Sequence, residues 1–121
     1  DSLGASEALN NALELDPEYH AAHYRLGIAL YHEGELTNAL EHFESALSLT
    51  PEYLMAHYHL GIIYRRLGRL DQARLEFEHV LNFNVKDRSA RFHLGSTLKA
   101  LGREDEAEDC LRRAGDFSIQ G

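Results

Sequence analysis

Histidine is the residue of this chain that most directly suggests chemistry, because an imidazole can bind a metal or act as a general base. The 121-residue sequence contains eight histidines. His20 and His23 could share one face of a helix, whereas His57 and His59 point to different faces. No acidic residue completes an H-E-x-x-H zinc motif beside either pair, and no three-ligand set recurs along the chain. We therefore interpret the histidines as surface or inter-repeat residues and predict no metal site.

Cys110 is the only cysteine, so the chain can form neither an internal disulfide nor a cysteine-based zinc site. The stretch 104–109 before it is strongly acidic, which should raise the pKa of the thiol and leave it a poor nucleophile. The sequence contains no G-x-S-x-G, P-loop or dinucleotide-binding motif. We predict that the chain is not an enzyme and uses no cofactor. A single cysteine also permits a reducing compartment, and we favour a cytoplasmic location.

Composition and charge exclude two classes of ligand. With 44% hydrophobic and 26% charged residues, the chain has the composition of a soluble globular domain, and its apolar runs are too short for a membrane-spanning helix. The formal net charge of −8 argues against binding to nucleic acid or to anionic lipid. The sequence therefore predicts neither nucleic-acid binding nor membrane insertion.

The glycines indicate how the chain positions its side chains. Gly27, Gly61 and Gly95 stand 34 residues apart. The same interval separates three further sets of identical residues: Gly34, Gly68 and Gly102; Leu26, Leu60 and Leu94; and Ala39, Ala73 and Ala107. A fixed period of this length marks similar supersecondary units stacked side by side. Stacked units form an extended surface rather than an active-site pocket.

Apolar residues at three- and four-residue spacing predict two helices in each unit. The first helices should span about 20–33, 54–67 and 88–101, and the second helices about 36–48, 70–82 and 104–114. Each first helix should end at a glycine in the left-handed conformation, and we expect Thr37, Asp71 and Asp105 to cap the second helices. Gly27 and its equivalents each cost roughly 1 kcal/mol inside a helix. We expect them to allow a close approach between the paired helices, with Ala39 and its equivalents as the matching small face.

These motifs resemble the tetratricopeptide repeat, whose signature is W-x2-L-G-x2-Y, then A-x3-F, then P, over 34 residues. The second unit reads His57-x2-Leu60-Gly61-x2-Tyr64 and then Ala73-x3-Phe77. The departures are His or Arg in the tryptophan position, Val85 in the second proline position, and Leu111 in place of the last Phe. The resemblance implies an all-α, right-handed superhelical solenoid of antiparallel helix pairs. It divides the chain into the second helix of a preceding repeat (1–17) and three repeats, at 18–51, 52–85 and 86–119.

In tetratricopeptide proteins the first helices line a concave groove, so the resemblance places the candidate partner-binding residues there. They are Tyr24, Ile28, Tyr31, Met55, Tyr58, Ile62, Arg65, Arg66, Phe92, Ser96 and Lys99. The charges divide along the same line, since the first helices carry six Lys or Arg against Glu33 alone, whereas the second helices carry ten acidic residues against three arginines. A basic groove with aromatic and aliphatic side chains should bind an acidic, amphipathic segment of a protein or peptide.

We therefore expect a protein–protein interaction scaffold that binds a peptide or helical segment of a partner and belongs to a larger protein or assembly. The main alternative is a self-associating module that acts through apolar residues at the array ends: Leu3, Leu9, Leu13, Leu111, Phe117 and Ile119. An RNA-binding pentatricopeptide array is a further alternative, although its period is usually one residue longer, and a regulatory segment of an enzyme is another. Because the chain begins within a second helix, we expect it to be a fragment of a longer array.

Overall fold

The computed structural model describes residues 20–120, with side chains to residue 115, and every regular element in this range is a helix. We number the helices α1 (His20–His32), α2 (Leu36–Leu49), α3 (Leu54–Arg66), α4 (Leu70–Phe83), α5 (Arg88–Ala100) and α6 (Glu104–Gln120). The all-helical repeat fold predicted from the sequence is confirmed, and helix α6 continues beyond the predicted residue 114. The preceding half unit at 1–17 lies outside the described residues. The superhelical hand and the repeat boundaries stay predictions.

The chain forms two compact units, residues 1–59 and 60–121, and the boundary between them falls inside α3. Within the described part of the first unit, α1 packs against α2. Within the second unit, α5 packs against both α4 and α6. Small, aromatic and aliphatic side chains share the cores: Ala39, Phe43, Ala73 and Phe77 have no exposed surface, and Leu26 is 1% exposed.

Three glycines turn the chain from each first helix into the second. Gly34, Gly68 and Gly102 have φ angles of 84°, 80° and 81°, and a side chain would be strained in this left-handed conformation. In the first turn, the Gly34 amide donates to the Tyr31 carbonyl at 3.0 Å and the Glu35 amide donates to the Leu30 carbonyl at 2.9 Å. The same two bonds recur in the other two turns. This is the Schellman pattern, which satisfies the last carbonyls of a helix while reversing the chain.

The N-cap positions predicted for the second helices are wrong by two residues. Thr37, Asp71 and Asp105 lie inside the first turns, because the helices begin at Leu36, Leu70 and Glu104. The N-cap residues of α2 and α4 make no side-chain capping bond. The prediction failed because only one residue, Glu35, separates the turn glycine from the start of α2, so Thr37 falls inside the helix. A side-chain cap does occur at α5, where the Asp87 carboxylate accepts the amide of Ala90 at 3.0 Å.

The glycines inside the first helices do allow a close approach, but the group that fills the space is not alanine. A Cβ built on Gly27 would lie 2.9 Å from Phe43, one on Gly61 would lie 2.7 Å from Phe77, and one on Gly95 would lie 2.8 Å from Leu111. Each of these partners stands four residues after the alanine of its repeat. A phenyl ring or leucine therefore lies directly on the backbone of the paired first helix.

The residues in the tryptophan position of the motif tie each first helix to the turn before it. The His57 Nε2 donates to the carbonyl of Pro51 at 2.8 Å, and the Arg91 Nη2 donates to the carbonyl of Val85 at 2.8 Å. Both bonds span six residues, and the two sites are one repeat apart. Arg91 is only 8% exposed, so it does not contribute to the exposed basic charge that we counted on the first helices.

We predict that Gly61→Ala destabilises the protein although alanine is the better helix former. The new Cβ would overlap the Phe77 ring, which is fully buried and cannot move aside. Overpacking of this kind costs about 1–3 kcal/mol, which should exceed the gain of about 1 kcal/mol in helix propensity. The free energy of unfolding is measured by urea denaturation.

Gly115→Ala is the matched control, because Gly115 also lies in a helix but a Cβ there meets no atom within 4 Å. This substitution should be neutral or stabilise the protein by about 0.5–1 kcal/mol. An equal effect of the two substitutions would show that the glycine in the α3–α4 contact has no packing role.

Candidate partner-binding surface

The predicted partner-binding residues on the first helices differ widely in exposure. Met55 and Phe92 are 57% and 52% exposed, and Arg66 and Lys99 are also exposed. Tyr24 is buried, with 7% of its surface exposed. Residues up to position 58 belong to the first compact unit, and those from position 62 onward belong to the second. A further six are half-buried: Ile28, Tyr31, Tyr58, Ile62, Arg65 and Ser96.

Tyr24 does not have the exposure that we expected of a groove residue. Its ring centroid lies 4.9 Å from that of Tyr53, 5.6 Å from that of Phe43 and 5.5 Å from that of His59. Burial, and to a lesser extent Tyr53, raises the pKa of Tyr24 to about 12. The side chain therefore packs the α1–α2 hairpin against the start of α3, and little of its ring is accessible to a partner.

Two histidines at equivalent positions stack on the buried aromatic rings. The His59 ring lies 5.5 Å from Phe43 at 19°, and the His93 ring lies 5.4 Å from Phe77 at 13°. The His59 Nδ1 donates to the carbonyl of Met55 at 2.8 Å. The sequence predicted surface or inter-repeat histidines, and the structure shows which rings His59 and His93 cover.

The protonation of these two histidines is controlled by burial. Burial lowers the pKa of His59; the hydrogen bond to Met55 opposes this, and His32 adds to it. Burial also lowers the pKa of His93, where the nearby Arg65 guanidinium adds to the effect and Asp87 opposes it. In the folded chain, burial therefore favours the neutral form of both imidazoles.

A third histidine contact joins α1 and α2 and was not found from the sequence. The Nδ1 atoms of His23 and His42 lie 3.2 Å apart, so one ring donates and the other accepts. The residues are 19 positions apart, and only the pairing of the helices brings them together. Burial and the neighbouring His23 lower the pKa of His42. Among the residues that the structure describes, no group of three or more His, Cys, Asp or Glu side chains could hold a metal ion.

The Cys110 thiol has a raised pKa, as the sequence predicted, but for a different main reason. Burial is the largest cause, while Arg91 lowers the pKa and Asp109 raises it again. The acidic stretch that we held responsible therefore contributes less than the loss of water around the sulfur. A thiol of this kind is a weak nucleophile.

Several arginines of the second helices, or of the turn before them, form ion pairs with acidic side chains of the same helix. Ion pairs join Arg74 to Glu78 at 2.9 Å, Arg103 to Glu106 at 2.6 Å, and Arg113 to Asp109 at 3.2 Å. By contrast, no acidic side chain in residues 20–115 lies within ion-pair distance of Arg65 or Lys99.

Two further expectations from the sequence concern membrane insertion and self-association through the array ends. No helix within residues 20–120 combines the length and the hydropathy that a membrane span requires. Of the array-end residues named for self-association, Leu111 is half-buried against Gly95, and the others lie outside the described side chains.

Comparison with protein families identifies the repeat. Tetratricopeptide repeat profiles match residues 1–53, 30–91 and 89–114, and the second of these alone spans half of the chain. A comparison with curated proteins found no match.

Solved structures of MamA share the fold. One crystal structure of MamA is 26% identical with a TM-score of 0.89, and the alignment covers 95% of this chain and 67% of that one. A second has 26% identity and a TM-score of 0.90, covering 98% and 65%. MamA 41-end from Desulfovibrio magneticus RS-1 has 20% identity and a TM-score of 0.93, covering 99% and 68%. The chain spans about two thirds of the length of these proteins.

We predict that acidification destabilises the fold through His59 and His93. Because their pKa is lower in the folded chain than the ordinary value of 6.5, the unfolded chain binds more protons below that pH. Their contribution to stability is complete above pH 6.5 and decreases as the pH falls toward the lower folded-state pKa. The urea midpoint should therefore be lower at about pH 5.5 than at about pH 7.5.

A double variant, His59→Gln with His93→Gln, isolates this effect. It should be less stable at neutral pH, because the ring stacks are lost, but its stability should change less between the two pH values. A pH dependence as steep as that of the wild type would assign the effect to other groups.

Proposed function

The chain belongs to the tetratricopeptide repeat family, and from this membership we propose that it is a protein-interaction scaffold whose first helices bind a segment of a partner. The proposed ligand is an acidic, amphipathic peptide or helix, and the chain acts as a binding module rather than as a catalyst. The observation that carries the proposal is the difference in charge between the two sets of helices. Arg65 and Lys99 on the first helices have no acidic partner among residues 20–115, whereas arginines of the second helices are paired.

The electrostatic support comes from Arg65 and Lys99. Both lie in the second compact unit, on helices α3 and α5, and neither is neutralised by a described acidic side chain. Cations that are already paired on their own helix, such as Arg113 with Asp109, gain little from an external carboxylate. Unpaired cations of one sign on a surface attract an acidic segment and speed its association.

The apolar support comes from side chains next to these cations in the sequence. Ile62 precedes Arg65 by one helical turn and is half-buried. Near the start of α3, Met55 is 57% exposed and Tyr58 is half-buried. Aliphatic and aromatic groups beside arginine make up the high-energy centres of protein interfaces. The partner segment should therefore be amphipathic and not merely acidic.

A photo-crosslinking experiment can identify the partner and map the surface at once. A photoreactive amino acid at Ile62 should capture the partner from a lysate of the source cells. The same group at Leu75, which is 55% exposed on α4, is the matched control for an apolar residue outside the proposed surface. Equal capture from both positions would contradict the assignment to the first helices.

Charge reversal on the first helices should weaken binding of the captured partner. We predict that Arg65→Glu with Lys99→Glu lowers the affinity by about 10- to 100-fold, because the two lost charge contacts together cost about 1.4–2.8 kcal/mol. The decrease of affinity with added salt should also become less steep. Isothermal titration calorimetry at two salt concentrations measures both quantities.

The control is Arg112→Glu with Arg113→Glu on α6, which makes the same change in net charge where the arginines are paired with Asp109. This variant should bind with nearly wild-type affinity. An equal loss in both double variants would assign the effect to net charge, and unchanged binding in the first would contradict the proposed surface.

A further inference from the structure

His23 and His42 form a pair of imidazoles between the two helices of the α1–α2 hairpin. Their Nδ1 atoms lie 3.2 Å apart, and their ring centroids are 5.4 Å apart with an angle of 29° between the planes. Both side chains are half-buried, so each ring is partly exposed to solvent. The two residues are 19 positions apart, and a search for ligand spacing along the sequence therefore could not reveal the pair.

The separation of the two nitrogens suits a shared metal ion as well as a hydrogen bond. Imidazole nitrogens bind Zn²⁺ at about 2.0–2.1 Å, and two such ligands at about 90° to 109° to each other lie about 2.9–3.4 Å apart. The observed 3.2 Å falls inside this range. In the hydrogen bond, the N–H of one ring points at the lone pair of the other. Both rings therefore already turn their Nδ1 edges toward the same space.

We propose that His23 and His42 form a binding site for a divalent transition-metal ion, held by their two Nδ1 atoms. Imidazole nitrogen is a good ligand for Cu²⁺, Ni²⁺ and Zn²⁺, and Cu²⁺ should bind most tightly of the three. Mg²⁺ and Ca²⁺ should not bind, because these ions require several oxygen ligands. The pair lies in the first compact unit, whereas Arg65 and Lys99 lie in the second. The metal site is thus independent of the proposed function.

The ion can replace the hydrogen bond without a net release of protons when both rings are neutral. The ring that donates the hydrogen bond carries its proton on Nδ1, and this proton moves to Nε2 of the same ring by exchange with water. Both Nδ1 lone pairs can then bind the ion. Burial and the neighbouring His23 lower the pKa of His42, while Glu41 opposes them. This balance favours the neutral imidazole that a metal ion requires.

Water should fill the remaining coordination positions of the ion. Among residues 20–115, no third His, Cys, Asp or Glu side chain joins the pair to complete a ligand set. A cavity of about 190 Å³ adjoins His23, and its other lining residues are Ser45, Ser48 and Leu49 of α2. This volume has room for several waters. Two protein ligands are fewer than the four of a structural zinc site, so the ion should exchange with solvent.

Calorimetric titration of the full chain with Cu²⁺ tests the assignment of the ligands. We expect saturable binding that His23→Gln and His42→Gln each weaken at least about tenfold, since the loss of even an outer-shell partner costs about 10- to 100-fold in metal affinity. Titration with Mg²⁺ should give no binding. Circular dichroism verifies that each variant folds.

The matched control is His32→Gln, which removes an exposed histidine at the end of the same helix α1. It should leave the Cu²⁺ affinity unchanged within about twofold. Equal affinity of the wild type and the two pair variants would overturn the proposal, and so would an equal loss in His32→Gln. Arg65→Glu with Lys99→Glu should not change Cu²⁺ binding either, so the metal site and the partner-binding surface can fail separately.

Two further measurements report on the bound ion itself. The electron paramagnetic resonance spectrum of the Cu²⁺ complex should show splitting from two imidazole nitrogens, and from fewer in His42→Gln. Because the ion joins α1 to α2 only in the folded chain, Zn²⁺ should raise the urea midpoint of the wild type but not that of His42→Gln. A spectrum that His42→Gln does not alter, or an equal rise of both midpoints, would leave the pair with a hydrogen-bonding role alone and overturn the proposal.

Discussion

The packing of this protein depends on one contact, in which a large apolar side chain of each second helix lies directly on a glycine of the paired first helix. The rings of Phe43 and Phe77 leave no space for a Cβ at Gly27 or Gly61. Two histidines, His59 and His93, stack on the same rings. A glycine backbone, a phenyl ring and a neutral imidazole therefore form a layered contact that occurs in each compact unit. It joins three successive helices through one buried side chain.

This arrangement leaves the rest of each helix free to differ between repeats. Second helices pair arginines locally with acids, whereas Arg65 and Lys99 on the first helices have no such partner among the described residues. The arginines of the second helices are thus paired locally, although acidic residues outnumber them there. Since the scaffold contacts are carried by glycine, phenylalanine and histidine, changes of charge at the exposed positions do not disturb them.

Equivalent positions acquire different roles when their neighbours change. Tyr24 is a packing residue because Tyr53 and His59 cover it, whereas Phe92, two periods further along the chain, is 52% exposed. Arg91 shows the reverse case: a cation on a first helix is buried and donates to a backbone carbonyl in the preceding turn. Counting charges or aromatic residues by helix therefore overestimates the surface that a partner can reach.

The sequence by itself determined the helical repeat, the left-handed glycine turns and, except at the end of α6, the helix bounds to within a few residues. Each of these follows from local preferences that recur with a fixed period, such as the positive φ at Gly34. The tertiary structure alone decided that phenylalanine rather than alanine fills the glycine contact. It also decided that Tyr24 is buried, that His23 meets His42 across 19 residues, and that Cys110 owes its raised pKa chiefly to burial. Burial and contact depend on which side chains the neighbouring helices supply, and a period in the sequence does not specify that.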